Sequence, residues 1–514
     1  MKFVLLTYDG HGLPIAFKLQ QEGWDVIVGQ AVELPHMPEE NPEVKKRRLE
    51  LFDGLLEKKK IEEVIEFLRK EKKKDDYFIF SDFNYVFPYA EQVKKMGYFG
   101  LFPTKEDFEF EENRNKAKEY IAKNHPLFAQ QEVHEFKTVE EAKEFLKNTD
   151  KIWVLKGNNP EAETFVATSN IPTLANEEIL EILEEGKKIY ESEGFILEEK
   201  IEDLIEFVPE IIVRGKRVLG MNIDVELKPF GPANCSFQTG DAASVIFWIF
   251  NQEQAVKIYD MFFRPMEEKF LRSDNEFVIW DVGVMYSPSR NKFYFSEFCS
   301  NREGWSSLFN KLSTFSRISD YYLAIKEGEL LLELKPMRFG ASFRIFNMLT
   351  EGEKPNLSLA NVRILTDIND KNIWIWDMKK VANKIVSVGY DRNLAVVTSS
   401  DEDWQLAFLK ADSLIDFGFK FDNFYKRSFM DIIDNGYTNN IPDRLAWIFE
   451  NLLEEKWDFK PLYNYKIIKK MLINNLKDKK LIKEIKKGKK IEDLEKEFSG
   501  LEKLLSDFSS LFND

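Results

Sequence analysis

Ile152-Trp153-Val154-Leu155-Lys156 is the stretch on which the fold turns: four apolar residues, enough for one buried strand, closed by a single lysine. Phe165-Val166-Ala167 is placed to pair back on it. A second junction of strand and turn, Gly194-Phe195-Ile196-Leu197-Glu198-Glu199, closes on two carboxylates. Ile211-Ile212-Val213 and Val218-Leu219-Gly220-Met221 flank Arg214-Gly215-Lys216-Arg217, which reads as a hairpin with a glycine turn. Residues 277–285 and 292–298 read as two more strands joined by Ser287-Pro288-Ser289-Arg290-Asn291, and Glu297, Cys299, Asn301 and Arg302 follow in close order. Amphipathic helices are expected over 111–124 and 138–147. Residues 106–330 are therefore read as an α+β unit with antiparallel strand pairs.

Working toward the N-terminus, residues 3–8 and Val26-Ile27-Val28 read as strands around a helix at 14–22. The charged stretch from Glu43 to Lys74 has helical spacing (Leu51, Leu55, Ile61, Val64, Ile65, Leu68). Tyr77-Phe78-Ile79-Phe80 reads as a strand before a helix near 88–96. Strands alternating with helices predict a parallel sheet, so residues 1–105 are expected to form an open α/β domain. Ligands of such sheets bind beyond the strand ends. Gly10-His11-Gly12 is a fragment of a dinucleotide-binding fingerprint and reads more simply as a tight turn, with His11 as a turn or core histidine.

Toward the C-terminus, short strands at 341–346, 373–376 and 394–397 and a helix at 401–415 predict a small separate α+β domain over 335–435. Residues 436–514 read as a helical extension. Its Lys466–Lys490 stretch holds eleven lysines, and the acidic stretch after it carries Leu494, Phe498, Leu501, Leu505, Phe508 and Phe512 at helical spacing. That extension is expected to serve self-association or partner contact.

Bulk properties narrow the classes. The 514 residues call for roughly three or four domains. Apolar residues at 44% and charged residues at 32% describe an ordinary globular chain. A formal charge of −16 disfavours nucleic acid, whose phosphates it repels. The two cysteines, Cys235 and Cys299, give no disulfide framework and point to a reducing, cytoplasmic setting. No apolar run reaches the ~18 residues of a membrane span, and the opening Phe3-Val4-Leu5-Leu6 runs at once into a glycine turn, unlike a signal peptide. No Ser/His/Asp or Cys/His arrangement, no phosphate-binding P-loop and no metal-ligand spacing among the four histidines is visible.

What is visible is a scattered set at strand ends: Lys156, then Glu198 and Glu199, then Glu297. Singly, each reads more readily as solvated surface. Together they are what a nucleotide-dependent ligase needs, since a lysine neutralises phosphate and carboxylate or amide oxygens hold Mg²⁺. The order of segments over residues 1–435 resembles phosphoribosylamine–glycine ligase, an ATP-grasp family of purine biosynthesis. Leu101-Phe102-Pro103-Thr104 resembles the family's exit from its first domain. Asn113-Arg114-Asn115-Lys116-Ala117-Lys118-Glu119 is similar to the segment that places a phosphate-binding lysine, at Arg114 here. Val154-Leu155-Lys156 resembles its "VIK", Ile196-Leu197-Glu198-Glu199 its "VIEE", and Glu206 falls on a glutamate of "GEExS". Gly283-Val284-Met285 with Glu297-Phe298 resembles "GLM…EFN", and Arg302 with Gly304 resembles "RFGD". Gly340-Ala341-Ser342-Phe343-Arg344 and Asn393-Leu394-Ala395-Val396-Val397-Thr398 resemble the bounds of its C-terminal domain.

The resemblance implies ATP-grasp central domains over 106–330 and ATP bound by Arg114, Lys156, Glu198, Glu199 and Glu206. It implies Mg²⁺, or Mn²⁺ in its place, on Glu297 and Asn301, with Lys156 and Arg302 as the catalytic pair and Arg302 holding the substrate carboxylate. The implied reaction joins a small-molecule carboxylate to a small-molecule amine through an acyl phosphate. The chain departs from the family in Gly157-Asn158-Asn159-Pro160-Glu161-Ala162-Glu163, where a glycine-rich lid is replaced by acidic residues. Cys299 also stands where the family has a metal-binding asparagine, and Gly10-His11-Gly12 replaces a longer substrate turn. A catalytically degenerate binding or scaffold protein on the same fold is the alternative expectation.

Overall fold

The computed structural model describes residues 1–157, 164–201, 203–231, 238–299, 306–347, 360–390, 393–421, 424–433 and 440–457. Its N-terminal part alternates strands and helices as the apolar runs predict. In order these are β1 (Lys2–Thr7), α1 (Leu13–Gln21), β2 (Asp25–Gln30), α2 (Pro42–Glu50), β3 (Lys58–Lys60), α3 (Ile61–Lys70), β4 (Tyr77–Ser81), α4 (Phe87–Lys95) and β5 (Gly100–Leu101). Phe3, Val4, Leu5 and Leu6 of β1 are all fully buried. That explains the unbroken apolar run of a parallel strand covered on both faces. β1 pairs in parallel with β2 and with β4, giving the order β3-β2-β1-β4-β5. The turns after β1 and β4 therefore open at a topological switch point.

The next part comprises α5 (Lys105–Glu112), α6 (Arg114–Asn124), β6 (Phe128–Ala129), β7 (Val133–Phe136), α7 (Val139–Lys147), β8 (Trp153–Gly157), β9 (Phe165–Val166), α8 (Pro172–Glu185), α9 (Lys187–Glu193) and β10 (Phe195–Glu199). β7, β10, β8 and β9 form a four-stranded sheet of their own. Trp153, Leu155, Phe195 and Leu197 pack there against Val139, Leu146, Ile179 and Leu183 of α7 and α8. β9 pairs back on β8 as the sequence predicts, Val154 opposite Val166.

Then follow β11 (Ile205–Arg214), β12 (Arg217–Pro229), β13 (Gln238–Trp248), α10 (Gln252–Ile258), α11 (Glu267–Phe270), β14 (Glu276–Ser287), β15 (Lys292–Phe298), α12 (Ser306–Ser313), α13 (Ile318–Glu327) and β16 (Phe339–Asn347). The last described elements are β17 (Ile373–Ile375), β18 (Lys379–Val381), β19 (Lys384–Val386), β20 (Asn393–Asp401), α14 (Trp404–Gly418), β21 (Phe424–Tyr425), α15 (Phe429–Ile433) and α16 (Ile441–Trp447). The hairpin of β11 and β12 turns through Gly215 as read.

Three features differ from the periodic reading. Residues 111–124 are not one helix, because Asn113 leaves helical geometry (φ −106°, ψ 87°) and its side chain accepts from Lys116 N to start α6. The stretch 43–74 breaks where Phe52 and Gly54 take positive φ, and a short strand precedes α3. The strands of the C-terminal segment also share the large sheet: β16 pairs antiparallel with β13, and β14 pairs in parallel with β5. A fifteen-stranded sheet among the described residues thus runs from the N-terminal strands to β17 and β20.

The extension begins as part of this body, since Ile441, Leu445, Ile448, Phe449 and Leu452 join its core. Residues 458–514, with the lysine-rich and acidic stretches, lie outside the described residues.

Candidate functional site

The four-stranded sheet gathers positive charge around one buried carboxylate. Lys156 on β8 and Glu198 on β10 lie close on adjacent antiparallel strands, and Lys156 Nζ donates to Glu198 Oε2 at 2.9 Å. Lys118, from α6, donates to the same oxygen. Burial works against the charged Glu198, but Lys156 and Lys118 outweigh it and hold its carboxyl below the usual range. Two ammonium groups thus share one carboxylate oxygen.

Lys118 is the residue that sequence reasoning missed. It lies in the 113–119 segment quoted for Arg114, one helical turn further on, where the i+4 periodicity puts both on one face. Arg114 itself opens α6, and its side chain lies outside the described structure.

Glu199 faces a different task. Its carboxylate is held by Arg290 of the turn between β14 and β15 at 3.0 Å and by Lys151 at 3.3 Å. The Arg290 hydrogen bond is the main cause of its lowered pKa. Asp203 grips the same turn, accepting from Ser287 Oγ at 2.9 Å and Ser289 N at 2.8 Å. These bonds fasten the small sheet to the large one where β10 passes into β11.

The large sheet gathers negative charge. Lys228 on β12 donates to Glu206 of β11 at 2.8 Å and to Glu297 of β15 at 3.4 Å, so it joins two residues that the sequence singled out separately. Burial opposes charge on Lys228, but Glu206, Glu297 and Glu226 together raise its pKa well above the ordinary value. Glu226 is pushed up to about 8 by burial and then by Asp241, with Lys228 opposing. Strand alternation puts Asn222, Asp224, Glu226 and Lys228 on one face of β12, a pattern legible in the sequence once that strand is extended to Pro229. Arg444, on α16, donates to the backbone oxygen of Glu226 at 2.7 Å.

Magnesium is commonly held by one or two carboxylates together with phosphate oxygens, without a full protein cage. Glu297 is the carboxylate that the family resemblance assigns to the metal, and on β14 the buried Oδ1 of Asp281 has no hydrogen-bond partner among the described residues. Among those residues no three His, Cys, Asp or Glu side chains converge on one metal position. Burial, followed by Glu297, Asp281 and Glu226, pushes the Cys299 thiol well up, which favours its protonated form. Asn301 and Arg302 fall outside the described residues.

The turn after β1 is filled by the protein's own groups. Gly10 N donates to Thr7 Oγ1 at 2.9 Å, His11 N to Asp9 Oδ1 at 3.2 Å and Gly12 N to Asp82 Oδ2 at 2.8 Å. Gly10 sits at φ +89°, and a Cβ on Gly12 would come within 2.7 Å of Leu5 Cδ1 and 2.9 Å of Asp82 Cβ. His11 packs edge-on to Trp376, ring centroids 3.9 Å apart, and lies 3.3 Å from the Asp9 carboxylate.

By sequence, no family model matches the chain. No curated protein matches it either. Solved structures do match by fold. Phosphoribosylamine–glycine ligase from Thermotoga maritima superposes with a TM-score of 0.57 at 17% identity, over 83% of this chain and 99% of that one. The biotin carboxylase domain of the Hydrogenobacter thermophilus 2-oxoglutarate carboxylase, solved with MgADP, ADP and bicarbonate, gives 0.52 at 13% identity, over 89% of this chain and 99% of that one. Rhizobium etli pyruvate carboxylase gives 0.50 at 14% identity, over 86% of this chain and 39% of that one.

Proposed function

We propose that this chain, which has the ATP-grasp fold of those enzymes, is an ATP-dependent carboxylate–amine ligase working through an acyl phosphate. The observation that carries the proposal is the division of charge between the two sheets, cationic around Glu198 and anionic around Glu206 and Glu297. ATP's phosphates suit the Lys156 and Lys118 ammonium groups, each able to offer charge-assisted hydrogen bonds. Glu297 would hold Mg²⁺, which would offset phosphate charge as it builds on the transferring group.

In the first step a carboxylate oxygen of the substrate attacks the γ-phosphoryl group, and ADP leaves. In the second the amine nitrogen attacks the acyl carbon, the C–O bond to phosphate breaks, and the amine's proton passes to solvent. The chain's own work is positioning and charge stabilisation. Lys156 and Lys118 orient the nucleotide, and Glu199, through Arg290, sets one sheet against the other. Arg302 keeps the role that the resemblance gives it, a planar fork for the substrate carboxylate. Arg114 and Asn301 likewise remain candidates for phosphate and metal.

A second reading is a binding protein on the same fold without turnover. It draws on Lys228, whose ammonium occupies the Glu297 carboxylate. Purified protein given ATP, Mg²⁺ and panels of carboxylates and amines separates the two. Release of ADP that needs both co-substrates supports the ligase. An ATP-dependent rise in melting temperature with no ADP under any pairing supports the binding protein.

A further inference from the structure

We propose that the acidic face of the large sheet receives the amine substrate, and that this amine carries two or more positive charges and no phosphate. The inference rests on the ligase reading and names the substrate class of that site. Residues opposite one another on antiparallel strands share a face. Glu210 of β11 lies opposite both Asn222 of β12 and Asp281 of β14, and Glu226 lies opposite Ser244 of β13. Glu206, Glu210, Asp224, Glu226 and Asp281 therefore lie on one carboxylate-rich face over three neighbouring strands. Three cations answer it: Lys228 on Glu206 and Glu297, Lys311 of α12 on Glu210 at 2.6 Å, and Arg444 of α16 beside Glu206 and Glu226.

Asp224 marks where the surface is incomplete. It is 4% exposed, and its Oδ1 has no hydrogen-bond partner among the described residues. The Oδ1 of Asn310 on α12, a fully buried side chain, also lacks one, while its amide nitrogen donates to Ser244 Oγ at 2.7 Å. A buried carboxylate oxygen without a donor is costly, and Asp281 Oδ1 is a second such atom among the described residues. A cation with several N–H donors relieves both costs together. The carboxylates are spread over strands spaced about 4.8 Å apart, which suits two separated ammonium groups better than one compact ion. The second observation is independent. A phosphate at the switch point would need the N–H groups of residues 10–12, and Thr7, Asp9 and Asp82 already accept all three.

The experiment is calorimetric titration of the full chain, in the presence of ATP and Mg²⁺, with putrescine, spermidine, n-butylamine and phosphoethanolamine. Putrescine and spermidine are expected to bind at least about tenfold more tightly than n-butylamine, from one extra charge-assisted contact, and phosphoethanolamine least. Asp224→Asn and Asp281→Asn, nearly isosteric and checked by melting, should each remove most of that preference by weakening putrescine and spermidine binding more than n-butylamine binding. Equal affinity for putrescine and n-butylamine overturns the inference, and so does tightest binding of phosphoethanolamine. A shift in Mg²⁺ affinity in both variants, with amine binding unchanged, would instead make the face a metal site and also overturn it. Dication binding without ADP release on any carboxylate defeats the ligase reading and leaves this one standing. ADP release that is equal for mono- and dications does the reverse.

Discussion

The small sheet around Glu198 and the large sheet around Glu206 and Glu297 solve opposite electrostatic problems. In the first, one carboxylate holds two lysines, Lys156 and Lys118. In the second, one lysine, Lys228, holds two carboxylates. Lysines gather on one sheet and carboxylates on the other, where Arg444 also stands beside Glu206 and Glu226. On the proposed function, that division would separate polyphosphate from cation before any ligand binds, as preorganised catalysis requires. The same contrast sets the direction of titration: the lysines pull Glu198 down, while burial and like charges push Glu226 up.

The largest effect expected from breaking this contrast is on turnover. Glu297→Gln removes a carboxylate from the anionic wall and should lower ADP release by about a hundredfold while ATP affinity changes less than about threefold. Steady-state kinetics beside a nucleotide titration reads both quantities, and equal losses in the two would remove Glu297 from the metal. Lys156→Ala acts on the other wall. It should weaken ATP binding by about tenfold to a hundredfold, the loss of a charge-assisted contact, and calorimetry checks it. Unchanged affinity would take Lys156 out of the nucleotide site.

Stability sharpens the contrast further. Gly12→Ala forces a Cβ against Leu5 and Asp82 and should cost about 1–3 kcal/mol, read from denaturant midpoints. For pH, the two carboxylates predict opposite slopes. Glu198 is lowered in the folded chain, so its stabilising contribution is present above the unfolded value of ~4.3 and fades as pH falls through its folded pKa. Glu226, raised to about 8, binds its proton more tightly folded than unfolded. Its contribution is full below ~4.3 and is lost as pH rises toward 8. Melting temperature measured across pH should therefore fall less steeply between pH ~5 and ~8 in Glu226→Gln than in the parent chain. A parallel curve would mean that Glu226 does not titrate there.

The smallest effect is expected at Cys299. Burial and nearby carboxylates favour the protonated form of its thiol. Cys299→Asn should leave ADP release within about threefold of the parent or above it, whereas complete loss would give the thiol a role of its own.

Much of the fold was legible because apolar runs without alternation, such as Phe3–Leu6, read as strands covered on both faces, and those four residues are all fully buried. The pairing of β9 on β8 and the hairpin at Gly215 followed from turn chemistry. What escaped was long-range: nothing local marks the pairing of β16 with β13, which carries the large sheet into the C-terminal segment. Helix breaks at Asn113 and Phe52 escaped because the apolar spacing continues through them. Within the site, Lys156, Glu198 and Glu297 could be singled out as charges at the ends of apolar runs, and Glu206 through the family resemblance alone. Lys118 and Lys228 could not, since a lysine on a helix or strand reads as solvated until the fold brings a buried carboxylate to it. The acidic face was hidden for the same reason, its members coming from separate strands.

The most direct test of the account is hydroxylamine trapping of the acyl phosphate. Full-length protein is incubated with ATP, Mg²⁺, hydroxylamine and a panel of amino acids and simple carboxylates, and hydroxamate and ADP are measured together. The account predicts equal amounts of hydroxamate and ADP with at least one carboxylate, and loss of both in Glu297→Gln. Protein that binds ATP yet forms no hydroxamate with any carboxylate, or a Glu297→Gln variant that forms it undiminished, would contradict it.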